Sequence, residues 1–252
     1  MLRHTSNTNL HLYHARTFQG LPVMAEKGPF IEQYLSRLHS TIERSLRQYS
    51  RVFAFRVDLR LPLSFELPEY AYTNEVISRF LESFKAKIEH DRQRANARNR
   101  YAHDSRVRYV WTREESRGER PHYHLLILLN GDAYYSLGRI RSDANNMINR
   151  LHEAWGSALG LSVDLLDGLV EIPDNAVYRI SRDIRTEQED KLPDLFRRAS
   201  YLCKAATKSY GRSEVAGYFA PTSVLVDFES EQLIKNQPDS PLISPFLAVA
   251  SI

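Results

Sequence analysis

The stretch His122-Tyr-His-Leu-Leu-Ile-Leu-Leu-Asn130 decides how this chain is read. Two histidines lead into a continuous apolar run, too short to cross a membrane and of the length of a strand buried on both faces. Alternate side chains of a strand share a face, so His122 and His124 point the same way. Two imidazoles so placed can hold one divalent cation. Upstream, Val107–Glu115 is also strand-like, and a loop with Gly118 and Pro121 separates the two runs. The pair predicts a β-hairpin with a longer loop, its second strand central in a sheet.

The pattern extends outward in both directions. From Pro29, Ile31, Tyr34, Leu35, Leu38, Ile42 and Leu46 recur at helical spacing. In Arg51–Leu61, Phe53, Phe55, Val57, Leu59 and Leu61 alternate with Ala54, Arg56, Asp58 and Arg60, a strand with one apolar and one largely charged face. A helix is expected over about 74–100, capped by Thr73 or Asn74, and another over about 143–159. Gly168–Ile172 and Ala176–Asp183 read as a second hairpin around Pro173-Asp174-Asn175. The last helix is expected over 191–208. The order β-α-β-β-α-β-β-α behind a leading helix predicts an α+β fold with a mainly antiparallel central sheet of about five strands. Residues 1–28 lack periodicity. The expected division is an N-terminal extension with one helix (1–50), a catalytic domain (51–212) and a C-terminal tail (213–252).

The hairpin carries the first chemistry. Glu114 lies on the partner strand and shares parity with Val110 and Thr112, so it can complete a site with His122 and His124. Glu115 is the competing ligand, on the opposite face and closer to the loop. Such a site leaves open positions for phosphate oxygens. A histidine pair of this spacing is also compatible with ordinary edge or core residues; the apolar run behind it and the nearby glutamate favour the metal.

The last helix carries the second. Leu192, Leu195, Phe196, Ala199, Leu202, Cys203 and Ala206 form one stripe, and Tyr201 falls opposite it with Arg197, Lys204 and Lys208. A tyrosine used for packing belongs in the stripe. A phenol with an ordinary pKa of about 10 is a weak nucleophile, and an ammonium one turn away favours its ionised form. The bland alternative is a tyrosine on a solvated basic face. Tyr210 and Tyr218 are other candidates, neither with a lysine three residues on. Cys203 lies in the stripe and reads as packing.

Composition limits the partners. The chain has 252 residues, 42% of them hydrophobic, and a net charge of +3. Its single cysteine excludes intramolecular disulfides and a multi-cysteine zinc site. No apolar stretch is long enough to span a bilayer and no signal peptide is visible, so a cytoplasmic protein without membrane contact is expected. Arginines cluster at Arg92–Arg94, Arg98–Arg100, Arg106–Arg108, Arg113–Arg120 and Arg197–Arg198, a distribution that fits a polyanion-binding surface. Arg113, Arg117 and Arg120 of the hairpin, with Arg197 and Lys208, are the expected DNA contacts.

His122-Tyr123-His124 resembles the His-hydrophobe-His motif of HUH endonucleases, and Tyr201-Leu-Cys-Lys204 their Tyr-x-x-Lys motif. Tyr109-Val-Trp-Thr-Arg-Glu114 with Arg120-Pro-His-Tyr-His124 is most similar to replication proteins of filamentous phages (inoviruses) and their prophage relatives. The resemblance covers roughly residues 51–212. It implies an HUH-type, ferredoxin-like or RRM-like core, His122, His124 and Glu114 as ligands of Mg2+ or Mn2+, Tyr201 as nucleophile and Lys204 as its helper. It implies nicking and rejoining of one DNA strand at an origin, initiating rolling-circle replication in a bacterial host. No phosphate-cradling Gly-x-x-x-x-Gly-Lys motif is present, so no nucleotide cofactor is expected and unwinding is expected to need a host helicase. The alternatives are a single-tyrosine transposase or relaxase, and a non-catalytic nucleic-acid-binding or repressor module of the same fold.

Overall fold

Strand alternation sorts the sheet residues onto two faces, and each face has its own core. The computed structural model describes residues 2–5, 7–64, 66–114, 120–139, 145–183 and 190–206. The main sheet contains β6 (Arg51–Arg60), β7 (Arg108–Glu114), β8 (His122–Asn130), β9 (Val170–Glu171) and β10 (Val177–Ser181). All its pairings are antiparallel, in the order β10-β6-β8-β7 with β9 also on β6. On one face the odd-numbered Phe53, Phe55, Val57, Trp111, Tyr123, Leu125 and Ile127 pack against α2 (Glu75–Arg98) and α3 (Met147–Leu159). On the other, Val52, Ala54, Val110, Leu126 and Leu128 pack against α1 (Glu32–Gln48) and α4 (Leu192–Ala199). The result is an α+β arrangement of three layers, with a five-stranded antiparallel sheet in the middle.

The helices form and stop for local reasons. The apolar positions of α2 (Val76, Ile77, Phe80, Leu81, Phe84 and Ile88) are its buried ones, and burying each is worth about 1.5–3 kcal/mol. Thr73 Oγ1 accepts the Glu75 N–H at 3.1 Å, satisfying an orphan donor of the first turn. Asn146 caps α3 by accepting the Asn149 N–H at 2.9 Å, and Gly160 ends it with φ +70°. Trp155 of α3 is buried against Phe80 and Tyr123, and its Nε1–H donates to the Arg60 carbonyl at 2.9 Å.

Three expectations are corrected. First, residues 168–183 are not a hairpin. β9 and β10 do not pair with each other; both run along β6, with Glu171 opposite Asp58 and Val177 opposite Phe55. Arg56 and Val57 therefore face the segment 172–176, a bulge in one interrupted strand, with the Arg56 N–H reaching the Ala176 carbonyl at 3.0 Å.

Second, α4 ends at Ala199 rather than near residue 208. Ser200–Cys203 tightens into a 3-10 turn, and Lys204 turns extended (φ −58°, ψ 142°) to bridge Phe30. Leu202 and Cys203 stay buried through the change, so the apolar stripe outlasts the α-helix.

Third, residues 1–50 are a layer of the same domain and not an appendage. β1 (Arg3–His4), β2 (Asn7–Tyr13) and β5 (Phe30–Ile31) form a small sheet, and β3 (Thr17–Phe18) pairs with β4 (Leu21–Pro22). Phe18, Val23, Phe30, Leu35 and Leu38 share a core with α4 and the sheet, so a boundary at residue 50 cuts through that core. Among the described residues no helix is long and apolar enough to cross a membrane.

Candidate active site

Register builds the site. Asp58 of β6, His124 of β8 and Thr112 of β7 form one cross-strand rung; Arg60, His122 and Glu114 form the next. All six have even numbers and lie on the face covered by α1 and α4. The two rungs sit where the apolar part of that face ends.

Glu114, His122 and His124 bring one ligand atom each to within 4.8 Å of one another. Glu114 Oε2 is 3.4 Å from His124 Nε2 and 3.8 Å from His122 Nε2. His124 Nδ1 lies 2.8 Å from Asp58 Oδ1, which turns its Nε2 toward Glu114. The same Asp58 oxygen is 3.2 Å from Nη2 of Arg56, a guanidinium only 5% exposed whose Cζ lies 5.7 Å from the Tyr201 ring centre. Two imidazoles and a carboxylate, one imidazole fixed from behind by a second carboxylate, form a donor set that fits a divalent cation.

The tyrosine arrives from the other layer. The 3-10 turn after α4 carries Tyr201 over the sheet, its ring 5.9 Å from His124 and perpendicular to it. Lys204 Nζ donates to Tyr201 Oη and lies 3.1 Å from Glu114 Oε1. The bland alternative, a solvated basic face, does not describe Tyr201 and Lys204. Tyr201 is half-buried and Lys204 is 8% exposed.

Burial would raise the Glu114 pKa, but the hydrogen bond and charge of His124, and then Lys204, overcome it and hold Glu114 at about 2. Asp58 is likewise lowered, burial being outweighed by His124 and Arg56. Burial would lower His124, yet Asp58 and Glu114 raise it. His122, half-buried beside His124, is lowered by burial and then by the charge of a protonated His124. The site thus holds two carboxylates ionised and separates the roles of its two histidines.

Of the expected residues, Glu114, His122, His124, Tyr201 and Lys204 converge. Arg113 does not. Odd-numbered, it points to the α2 face, is buried and donates to the Tyr72 carbonyl at 3.0 Å. Arg197 turns toward the N-terminal segment, 2.7 Å from Glu26. Arg120 is half-buried at the site end of the sheet, bonded to the Pro62 carbonyl and 5.6 Å from the Tyr72 ring. Glu115, Arg117 and Lys208, with Tyr210 and Tyr218, lie outside the described residues. Asp58 and Arg56 went unselected as site residues in the sequence. Their signal was the charged face of Arg51–Leu61, three ionisable residues at alternate positions of a strand that proves central.

Residues 13–216 match the description of one family across the sheet, the helices and both halves of the site. The chain belongs to the YagK/YfjJ C-terminal domain family. Its similar relatives include two uncharacterized proteins of Escherichia coli strain K12. YfjJ is 33% identical over 194 residues, covering 74% of this chain and 93% of the relative. YagK is 32% identical over 204 residues, covering 79% and 95%. The YagK/YfjJ match begins inside the N-terminal layer, in keeping with the shared core. No solved structure matches the chain.

Proposed function

We propose that the chain is a divalent-metal-dependent DNA endonuclease and strand transferase with an HUH-type core, using Tyr201 to nick and rejoin single-stranded origin DNA in rolling-circle replication of a phage or related mobile element. One observation carries the reading. Lys204 touches both the Tyr201 hydroxyl and Glu114, joining a nucleophile to a two-histidine, one-carboxylate cluster.

Glu114, His122 and His124 hold the ion, Mg2+ or Mn2+, which supplies Lewis-acid polarisation of the scissile phosphate. Asp58 keeps His124 oriented for that task. Lys204 stabilises the Tyr201 phenolate as its proton passes to solvent. The Tyr201 oxygen forms a bond to phosphorus, the bond from phosphorus to the 3′ oxygen breaks, and that oxygen takes a proton from water. The 5′ end stays linked as a phosphotyrosine, and reversal rejoins the strand. Bases at the nick must be accessible, so the substrate is single-stranded or extruded DNA. The setting is the bacterial cytoplasm, with unwinding left to a host helicase.

The test is incubation of the protein with single-stranded DNA and Mn2+, followed by denaturing electrophoresis. A covalent adduct is expected with the native chain and not with Tyr201→Phe or the His122→Ala, His124→Ala double variant. An adduct that persists in Tyr201→Phe removes the assignment. DNA binding with no adduct in the native chain makes it a binding module instead.

A further inference from the structure

We infer that the far end of the molecule, the distal part of α2 with the turn behind it, is a second nucleic-acid surface that grips the backbone of duplex DNA. The premise shared with the proposed function is that the substrate is DNA; the cleavage chemistry is not needed. β7 runs from Arg108 to Glu114, so about 20 Å of strand separates this end from the metal cluster.

The last buried residue of α2 is Ile88, yet the helix continues to Arg98. Ten further residues, about 15 Å of helix, project with no apolar face to hold them. They are anchored at the root instead. Asp91 accepts from Tyr134 Oη at 2.7 Å and pairs with Arg150 at 2.6 Å, and Arg92 Nη1 reaches the His103 carbonyl at 3.3 Å. Beyond this anchor no acid occurs until Asp104, which lies between Arg100 and Arg106. Arg94, Arg98, Arg100 and Arg106 are exposed, and among the described residues Arg94, Arg98 and Arg106 have no ion pair. Tyr101 is 72% exposed, with the Arg100 guanidinium 4.6 Å from its ring.

The plain explanation is that cations complement a helix C-terminus. It accounts for Arg98 in the last turn. It does not account for Arg100 and Arg106 beyond the helix, nor for Arg94 one turn back, where an (i, i+4) like-charge pair opposes helix formation. A rigid helix shows Arg94 and Arg98 about 6 Å apart, close to the roughly 6.8 Å rise of two nucleotides along one DNA strand. Single-strand surfaces stack successive bases on a run of aromatic rings; residues 89–106 carry one tyrosine, Tyr101, with the Arg100 guanidinium already at its face, so the duplex fits better. The site end would then act on the opened strand while this end holds flanking duplex, about six base pairs away.

The test titrates the full chain with a fluorescent duplex of about 20 base pairs at several salt concentrations. Arg94→Ala with Arg98→Ala should reduce the slope of log affinity against log salt by about 2, since each phosphate contact contributes roughly 0.9. Arg94→Lys with Arg98→Lys should preserve the slope. Adduct yield on a short single strand should not change in either variant. An unaltered slope in the alanine variant overturns the inference, and so does a slope lost equally in the lysine variant, because charge would not be the cause. If the native chain forms no adduct at all, the nicking assignment fails while the duplex titration still decides this one.

Discussion

Asp58 Oδ1 lies 2.8 Å from His124 Nδ1, on the side of the ring away from Glu114. The carboxylate fixes which nitrogen of His124 faces the cluster and makes that nitrogen a better donor. Asp58→Asn keeps the shape and removes the charge. Mn2+ affinity measured by calorimetry should fall 10- to 100-fold, the usual effect of losing such a support. An unchanged affinity would mean that His124 is not a ligand or needs no orienting partner.

Lys204 Nζ lies 3.1 Å from Glu114 Oε1. Lys204→Met leaves the buried carboxylate short of a partner, at a cost of about 1–3 kcal/mol in stability. Added Mn2+ should recover part of the loss, because the ion neutralises the same carboxylate. Chemical denaturation with and without Mn2+ reads both effects; equal destabilisation in the two conditions would count against the metal site.

Protons compete with the ion. His124 titrates above its ordinary 6.5 because Asp58 and Glu114 outweigh its burial, and ligation requires the neutral ring. Mn2+ affinity should therefore rise with pH above 6.5, until His124 is neutral without the ion. Calorimetry in buffers of different ionisation enthalpy should show about one proton released per ion below that point and none above it. On the acid side, the depressed pKa of Glu114 contributes stability that is present above its ordinary 4.5 and lost as pH falls toward about 2, on the order of 3 kcal/mol in all. A shallower acid limb in the Glu114→Gln variant than in the native chain checks the sign, the remaining fall coming from Asp58 and Asp91, which are also lowered.

Arg113 belongs to the fold. It is 4% exposed and donates to the Tyr72 carbonyl ahead of α2. Arg113→Ala should lower the melting temperature and leave the salt dependence of DNA binding unchanged. A reduced salt slope in a variant of native stability would restore Arg113 to the DNA surface.

Much of the site was legible because period 2 is rigid. Once His122–Asn130 and Arg108–Glu114 are a hairpin, the parity of Glu114 with His122 and His124 follows, and the register puts Glu114 opposite His122. Asp58 and Arg56 were hidden by the same rule, since a charged alternating face normally reads as solvent. Only the packing of α1 and α4 over β6 shows that this face is covered. The end of α4 was masked because Leu202 and Cys203 continue the apolar stripe through the 3-10 turn. The break between β9 and β10 misled in the opposite direction. Pro173-Asp174-Asn175 carries turn chemistry, with Asn175 at φ +53°, yet the chain bulges and continues along the same neighbour.

A clasp between the N-terminal layer and the turn after α4 sets when the candidate site can exist. Ser200 Oγ accepts the Met24 N–H at 2.9 Å across 176 residues, and Lys204 pairs with Phe30 just beyond it. Contacts of such long range close late in folding. During synthesis, Tyr201 cannot take its place until nearly the whole described chain has left the ribosome. A product terminated before residue 201 would carry Glu114, His122 and His124 without Tyr201, and so could not form the proposed covalent link.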